Sequence, residues 1–397
     1  MATVVDTEQD IGPVRSALDI DRLNQFFKRP TPPPDTTIGP GSRWSPLVAP
    51  VSVQQFKFGQ SNPTYLLTDA NGHKAVLRKK PSANAKLISK TAHAIEREFH
   101  MLAAINSINL KRPAAERVPI AQVFLLCEDE SHLGAVFYVM EFVKGRIFHD
   151  PSLTGASSEA EKKAIWNSVV DTAKAIHSVP SDELFAQLPE KHFRKPKPNS
   201  KSNSSSYFSR QIRSMTKIQQ LQAQTVDPIP HFDTISQWLL LNAPPDPEVV
   251  PLIHGDFKID NFVFHPTEPR IIAVLDWELC TSGHPLFDLA NVLQPFVMPP
   301  EMNQIFAKFD IKQDDQLVKD VLERYKAVVK PTWDPVKLWK VGVVFGLYRV
   351  GVISQGISQR VVKGVASSAE AKKTGSLYPY VGNFAYSLIS ADRGAKL

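Results

Sequence analysis

Between Leu252 and Pro266 the chain reads LIHGDFKIDNFVFHP. Apolar Ile253, Phe262 and Phe264 bracket His254, Asp256, Lys258, Asp260 and Asn261. Short apolar runs of this kind read as strands that must be buried, whereas the charged groups between them need water, a cation or a ligand. The stretch therefore demands a bend that presents its polar side chains together. A second apolar run, IIAVLDWE from Ile271 to Glu278, follows the Pro-rich turn HPTEPR and delivers a further carboxylate, Asp276, near its end.

The rest of the chain divides into two textures. Residues 1–17 read as a disordered tail. In residues 18–50, the run from Leu18 to Phe27 spaces its apolar positions like a short helix, and RPTPPPDTTIGPGS is a connector too rich in proline for helix or central strand. From Val51, VSVQQFKFG, TYLLT and HKAVLRKK alternate as three strands, and Asn71-Gly72 marks a hairpin between the last two. Ala92–Ile105 carries a helical stripe of Ile95, Phe99, Leu102 and Ile105, and VFLLCED and AVFYVMEFV supply two more strands. After the turn at Lys144-Gly145 helical spacing dominates to about Ser390, apart from the two short strands around the polar bend. The expected class is α+β, with a small antiparallel sheet region over residues 51–143, a mostly helical region over 144–390 and a tail at 391–397.

Bulk composition narrows the function classes. With 397 residues, 43% hydrophobic and 22% charged, the chain can bury a full core. A formal charge of +6 favours anionic ligands, but no dense basic helix or RNA-binding aromatic motif accompanies it, so nucleic acid is not expected. Cys127 and Cys280 lie in apolar runs without metal-ligand spacing, which suits a reducing compartment. The acidic N-terminus lacks the apolar core of a secretion signal. The apolar segment from Lys337 to Ile357 is interrupted by Lys340 and Arg349 and reads as a buried helix, with no transmembrane segment expected.

The polar bend carries the chemistry. Asp256 and, five residues on, Asn261 can aim at one point. The Asp can accept the proton of an attacking hydroxyl, and the Asn carbonyl can ligate a hard cation through oxygen. Asp276 supplies the carboxylate that a magnesium ion needs. Base and Asn on one loop, with a metal Asp at the start of the next, is the constellation of phosphoryl transfer from ATP.

His-Gly-Asp, four residues, Asn, then Leu275-Asp276-Trp277 resembles the aminoglycoside phosphotransferase and choline kinase group of small-molecule kinases. The resemblance implies a protein-kinase-like bilobal fold, a small antiparallel N-lobe and a mostly helical C-lobe, with ATP and Mg2+ as cofactors. It implies that Asp256 is the catalytic base and that Asn261 and Asp276 hold the metal. Arg78 falls where that fold places its phosphate-contacting lysine, with Lys79 or Lys80 as alternatives if the strand register shifts by one, and Glu98 matches the helix Glu that pairs with it. Gly59, Gln60, Ser61 and Asn62 occupy the phosphate-covering loop. Glu141 and Val143 would meet adenine through their main chain. Lys258 stands where protein kinases place a lysine near the γ-phosphate. His254 is expected to brace the loop, and Asp288 resembles a position that anchors it, without a catalytic role.

A narrower resemblance concerns the acceptor. FGQSNPTY from Phe58, VLRKKP from Val76, AHAIEREF from Ala92, YVMEF from Tyr138 and YFSRQI from Tyr207 are similar to the phosphotransferase domain fused to acyl-CoA dehydrogenases. This implies a stand-alone version acting on a hydroxylated fatty acyl-CoA, with another small hydroxyl acceptor or a silent nucleotide-binding module as alternatives. Arg194, Lys195, Lys197 and Lys201 could meet the phosphates of CoA. The terminal Ala395-Lys396-Leu397 is a variant of a peroxisomal address, so the expected location is peroxisomal, otherwise cytoplasmic, with the import receptor as a partner. A protein kinase is disfavoured because Asp-Phe-Gly and Ala-Pro-Glu are absent and Trp277 follows Asp276 directly.

Overall fold

The computed structural model describes residues 4–8, 11–16, 18–56, 62–81, 95–193, 206–366 and 370–394. The loop residues Gly59, Gln60 and Ser61, the basic residues 194–201 and the terminal 395–397 lie outside them. The chain forms two compact units. One gathers Met1–His149, Leu153–Pro196 and His254–Cys280, and the other Asp150–Ser152, Lys197–Ile253 and Thr281–Leu397.

The first unit opens with β1 (Val4–Asp6), β2 (Ile11–Gly12), α1 (Ile20–Phe27) and β3 (Thr36–Ile38). Then come β4 (Ser52–Phe56), β5 (Thr64–Thr68), β6 (Lys74–Lys79), α2 (Ile95–Leu110), β7 (Val123–Cys127), β8 (Phe137–Glu141) and β9 (Arg146–Phe148). Helices α3 (Glu159–His177) and α4 (Ser181–Ala186) follow. A seven-stranded antiparallel sheet runs β2-β4-β5-β6-β8-β7-β3. The hairpin expected at Asn71-Gly72 is present. Gly72 takes φ +83°, and the buried Asp69 carboxylate accepts the N–H groups of Asn71 and His73. One sheet face is closed by α1, whose start is capped by Asp19 and whose Leu23, Phe26 and Phe27 pack with Tyr65, Leu77, Phe137 and Val139.

Two expectations need correction. The segment read as a disordered tail contributes two strands. Val4–Asp6 and Ile11–Gly12 are too short to show periodicity of their own, and they exist because β9 and β4 offer open edges that they pair antiparallel. The boundary drawn at residue 144 also moves. β11 (Phe262–Phe264) and β12 (Ile271–Val274) join β9 and β1 in a four-stranded sheet of order β1-β9-β11-β12, so the polar bend belongs to the first unit rather than to the helical one.

The second unit is helical. It contains α5 (Tyr207–Gln222), α6 (Phe232–Asn242), the strand pair β10 (Leu252–Ile253) and β13 (Thr281–Ser282), then α7 (Leu286–Leu293), α8 (Pro300–Phe306), α9 (Asp315–Val329), α10 (Trp339–Val362), α11 (Ala371–Gly375) and α12 (Tyr378–Gly394). By length and composition α10 is apolar enough to cross a membrane, but 72% of its apolar window is buried. Val344, Phe345, Leu347 and Tyr348 sit in a core with Phe208, Phe232, Leu286 and Val381. The expected buried helix is what this unit is built around.

In the first unit, Gly145 lies at the start of β9 and leaves no room for a side chain. A Cβ there would stand 2.2 Å from the Phe264 carbonyl oxygen and 2.7 Å from Val263 Cγ1. Gly145→Ala should destabilise the protein by about 2 kcal/mol, an overpacking cost that backbone contact makes hard to relieve. Urea unfolding monitored by tryptophan fluorescence checks this, and an unchanged midpoint would contradict the contact.

Candidate active site

Strand β6 sets the first half of the site by its alternation. Arg78 pairs across the ladder with Tyr138 on β8 and Thr64 on β5. Its neighbour Lys79 points to the opposite face, where its Nζ donates to the Leu133 carbonyl, and Lys80 pairs with Glu96. The register thus selects Arg78, and not Lys79 or Lys80, as the cation that meets Glu98. Arg78 donates from Nη1 to Glu98 Oε1 at 2.6 Å and to Asp276 Oδ1 at 3.0 Å. One guanidinium nitrogen holds both the helix carboxylate and the carboxylate that follows β12.

Burial falls along this chain of charge. The side chains are 2% exposed at Glu98, 9% at Arg78 and 45% at Asp276. Burial pushes the Glu98 carboxyl up to about 7 against the pull of Arg78. Desolvation works against the Arg78 guanidinium, but Glu98, with lesser help from Asp276, outweighs it and leaves Arg78 more firmly charged than usual. Tyr138, fully buried beside them, has its phenol pushed well up by desolvation, and it stays a hydroxyl.

The polar bend forms the second half. Gly255 takes φ +84°, and a Cβ would stand 2.5 Å from the Leu279 carbonyl oxygen, so glycine is required there on both counts. His254 is fully buried. Its Nε2 lies 2.9 Å from the Leu275 carbonyl, and its Nδ1 accepts the Asp256 N–H at 3.2 Å. The ring therefore carries its proton on Nε2, and it fixes the Asp256 backbone and the residue before Asp276 at once. The Leu275 N–H also donates to the Asn261 carbonyl, and Trp277 donates from Nε1 to the Val274 carbonyl. Asp276 itself adopts a left-handed backbone, φ 61° and ψ 60°, which Asp tolerates better than most residues.

Asn261 is buried in a short helical turn, Ile259–Asn261. Its amide nitrogen donates to the Asp256 carbonyl at 2.8 Å and to Asp256 Oδ2 at 3.1 Å. That leaves its Oδ1 as the outward-facing acceptor. Asn261 Oδ1 and the Asp276 carboxylate are both hard oxygens, a donor set that suits magnesium. Lys258 sits 3.5 Å from Asp256 Oδ2 and 3.5 Å from Asp260 Oδ2. Desolvation disfavours its charge, but Asp260, Asp256 and Asp276 outweigh that and raise its pKa.

An apolar cleft ends at Arg78, Glu98 and Asp276. Val76, Leu102, Ala121, Met140, Ile147, Val263, Val274 and Leu275 line it, with Glu141, Phe142 and Val143 along one side and Arg78, Glu98 and Asp276 at the other end. Glu141 uses its main chain and side chain on Gln122, donating its N–H to the Gln122 carbonyl and accepting the Gln122 N–H on Oε2. Asn62 is fully buried, and its side-chain amide has no partner among the described residues. Asp288 is buried in α7 of the second unit. Sequence reasoning missed Thr7 and Phe56, which also line the cleft, and it missed the Arg78–Asp276 bond. The alternation of β11 and β12 could have pointed to Val263 and Val274, but nothing in the local sequence marks Thr7.

Residues 52–339 match the family described as "Phosphotransferase enzyme family". The chain belongs to that family. Among curated proteins it is 38% identical over 327 residues to acyl-CoA dehydrogenase family member 11 of Mus musculus, covering 81% of this chain. The chain spans only 38% of the length of that relative. Among solved structures, a candidate aminoglycoside phosphotransferase from Ralstonia eutropha aligns with TM-score 0.72 and 32% identity over 94% of this chain and 98% of its own. Aminoglycoside phosphotransferase APH(4)-Ia, in ternary complex with ADP and hygromycin B, shares the fold at TM-score 0.51 and 15% identity, over 85% of this chain and 94% of its own. The aminoglycoside phosphotransferase fold, with its antiparallel sheet region and helical C-terminal part, is thus the fold of this phosphotransferase-family chain.

The buried ion pair makes a prediction about stability alone. Replacing Glu98 by Leu leaves the buried Arg78 charge with only the half-exposed Asp276 as carboxylate partner and should cost about 3 kcal/mol. Adding Arg78→Met removes that charge and should recover a large part of the loss. Chemical denaturation of the parent, the single variant and the double variant tests this, and equal losses in single and double variants would deny that the pair is coupled.

Proposed function

We propose that this chain is an ATP- and magnesium-dependent kinase that transfers the γ-phosphate to the hydroxyl of a small acceptor, and that the acceptor is a hydroxylated fatty acyl-CoA. The observation that carries the reaction class is the placing of Arg78, Glu98 and Asp276 at one end of an apolar cleft, with Asp256 and Asn261 tied through His254 and backbone hydrogen bonds to Leu275, the residue before Asp276. The acceptor reading rests on the name of the acyl-CoA dehydrogenase relative.

In this reading the base of ATP fills the apolar cleft beside Glu141 and Val143, and its phosphates point to Arg78. Asn261 and Asp276 would hold magnesium, which when bound neutralises phosphate charge and fixes the phosphate chain. Arg78 is aimed by Glu98 from the buried side and adds a second, permanent positive charge. Asp256 takes the proton of the acceptor hydroxyl as its oxygen bonds to the γ-phosphorus. The bond from that phosphorus to the β,γ-bridging oxygen breaks, and ADP leaves. Lys258, 3.5 Å from Asp256, stands close enough to steady the transferred group. No covalent enzyme intermediate is needed, and positioning and electrostatics supply the acceleration.

The test is ADP release from Mg-ATP with a 4-hydroxyacyl-CoA, choline, an aminoglycoside or no acceptor, beside Asp256→Asn. Acyl-CoA-dependent turnover is expected, with a loss of about a hundredfold to ten-thousandfold in kcat for Asp256→Asn. ATP affinity should stay within about threefold, because Asp256 acts on the acceptor. Turnover with choline or the aminoglycoside alone would discard the lipid acceptor and keep the chemistry. ATP binding without Asp256-dependent turnover would mark a silent module.

A further inference from the structure

The N-terminal segment is built into the cleft. β1 pairs with β9 so that Val5 lies opposite Ile147, a residue of the cleft wall. Thr7 continues past the strand. Its N–H donates to the Gly145 carbonyl, and its Oγ1 accepts the Gly145 N–H at 3.1 Å. With that oxygen engaged as acceptor, the Thr7 hydroxyl proton remains to be donated, and Thr7 lines the cleft with Glu141, Phe142 and Val143.

The next residue fastens the segment from outside. Glu8 accepts from Lys74 on β6 at 2.5 Å and pairs with Lys144 at 2.7 Å. Hydrogen bonding from Lys144, then from Lys74, holds its carboxyl down at about 2, so both pairs persist at neutral pH. Further on, Ile11 pairs with Phe56 and Gly12 with Gln55 at the end of β4. Arg15 donates to the Phe56 carbonyl, and the Gln55 side chain accepts the N–H groups of Arg15 and Ser16. Phe56 is itself a cleft residue and stacks on Phe142 at 6.3 Å. The described residues of this segment therefore hold both the β9 wall of the cleft, through Val5 and Thr7, and the β4 wall, through Ile11 and Arg15.

We propose that residues 4–8 and 11–16 form a strap that completes the nucleoside end of the nucleotide site, with Thr7 as a further binding residue that donates its hydroxyl proton to the base or ribose. This deepens the kinase reading and rests on it. The phosphates depend on Arg78 and Asp276 at the opposite end of the cleft. The strap therefore acts on nucleosides and nucleotides and is indifferent to a bare phosphate chain.

The experiment compares the full chain, Thr7→Val, Thr7→Ser, Glu8→Gln and a chain lacking residues 1–10. Dissociation constants are measured by calorimetry for Mg-ATP, adenosine and Mg-tripolyphosphate. Thr7→Val and the shortened chain should weaken ATP and adenosine about tenfold, the scale of one lost hydrogen bond to a buried partner. Tripolyphosphate should stay within twofold, and Thr7→Ser should restore the parent values. Glu8→Gln should weaken ATP and adenosine less than Thr7→Val does, because it loosens the strap without removing the Thr7 hydroxyl. Unchanged nucleoside affinity in Thr7→Val overturns the strap. Equal loss of tripolyphosphate binding also overturns it, since that marks a general loss of structure. A full chain that binds none of the three overturns the kinase reading itself, and a full chain that binds tripolyphosphate but not adenosine overturns the nucleoside end alone. If the shortened chain does not fold, Thr7→Val and Thr7→Ser decide the matter.

Discussion

Arg78 is the residue on which the site turns. A guanidinium almost removed from water is costly unless carboxylates surround it, and here two do. Glu98 reaches it from α2 and Asp276 from the turn after β12, so three elements far apart in sequence meet at one nitrogen. The gradient of exposure gives the arrangement a direction. Glu98 is sealed in, Arg78 is nearly so, and Asp276 faces the cleft. Charge is thus anchored at its buried end and offered at its open end, which suits a ligand that is itself a chain of negative charge.

The polar bend answers the same demand with hydrogen bonds. Asp256 cannot point freely, because its backbone is held by His254 and its carboxylate by Asn261. Asn261 in turn spends its amide nitrogen on Asp256, which leaves oxygen as the group it presents. Gly255 makes this crossing possible by taking a backbone angle and a closeness to Leu279 that no other residue could adopt without displacement. A polar cluster of this density stays stable because nearly every member has two roles, one structural and one facing outward.

Much of this was legible in the sequence, and the failures share a cause. Alternation at β4 to β6, the Asn71-Gly72 turn, the stripe on α2 and the apolar run of α10 are local signals, and each produced the element expected. The pairing of Arg78 with Glu98 followed from the family resemblance, which places a cation on the third strand of that sheet and its carboxylate on the helix. The second bond of Arg78, to Asp276, did not, because no local pattern records an ion pair across 198 residues. The strands at Val4–Asp6 and Ile11–Gly12 were missed for the same reason. Three or two residues carry no period, and their structure is dictated by the edges they meet. The boundary near residue 144 misplaced the polar bend because β11, which carries β12 beside it, finds its sheet partner, β9, more than a hundred residues upstream.

That last pairing has a consequence for how the protein is made. The first unit is assembled from discontinuous stretches and is not complete until Cys280 has been synthesised. Until then β9 waits with an unfilled edge, since β11 has yet to arrive from the ribosome. The whole stretch from residue 197 to 253, which belongs to the other unit, must be produced in the interval. From Phe148 to Phe262, at roughly 5–20 residues per second, the exposed edge persists for roughly 6 to 23 seconds. In a growing chain, this is the period when an unfinished sheet is most open to the wrong partner, and a chaperone acting on this protein would find its target there.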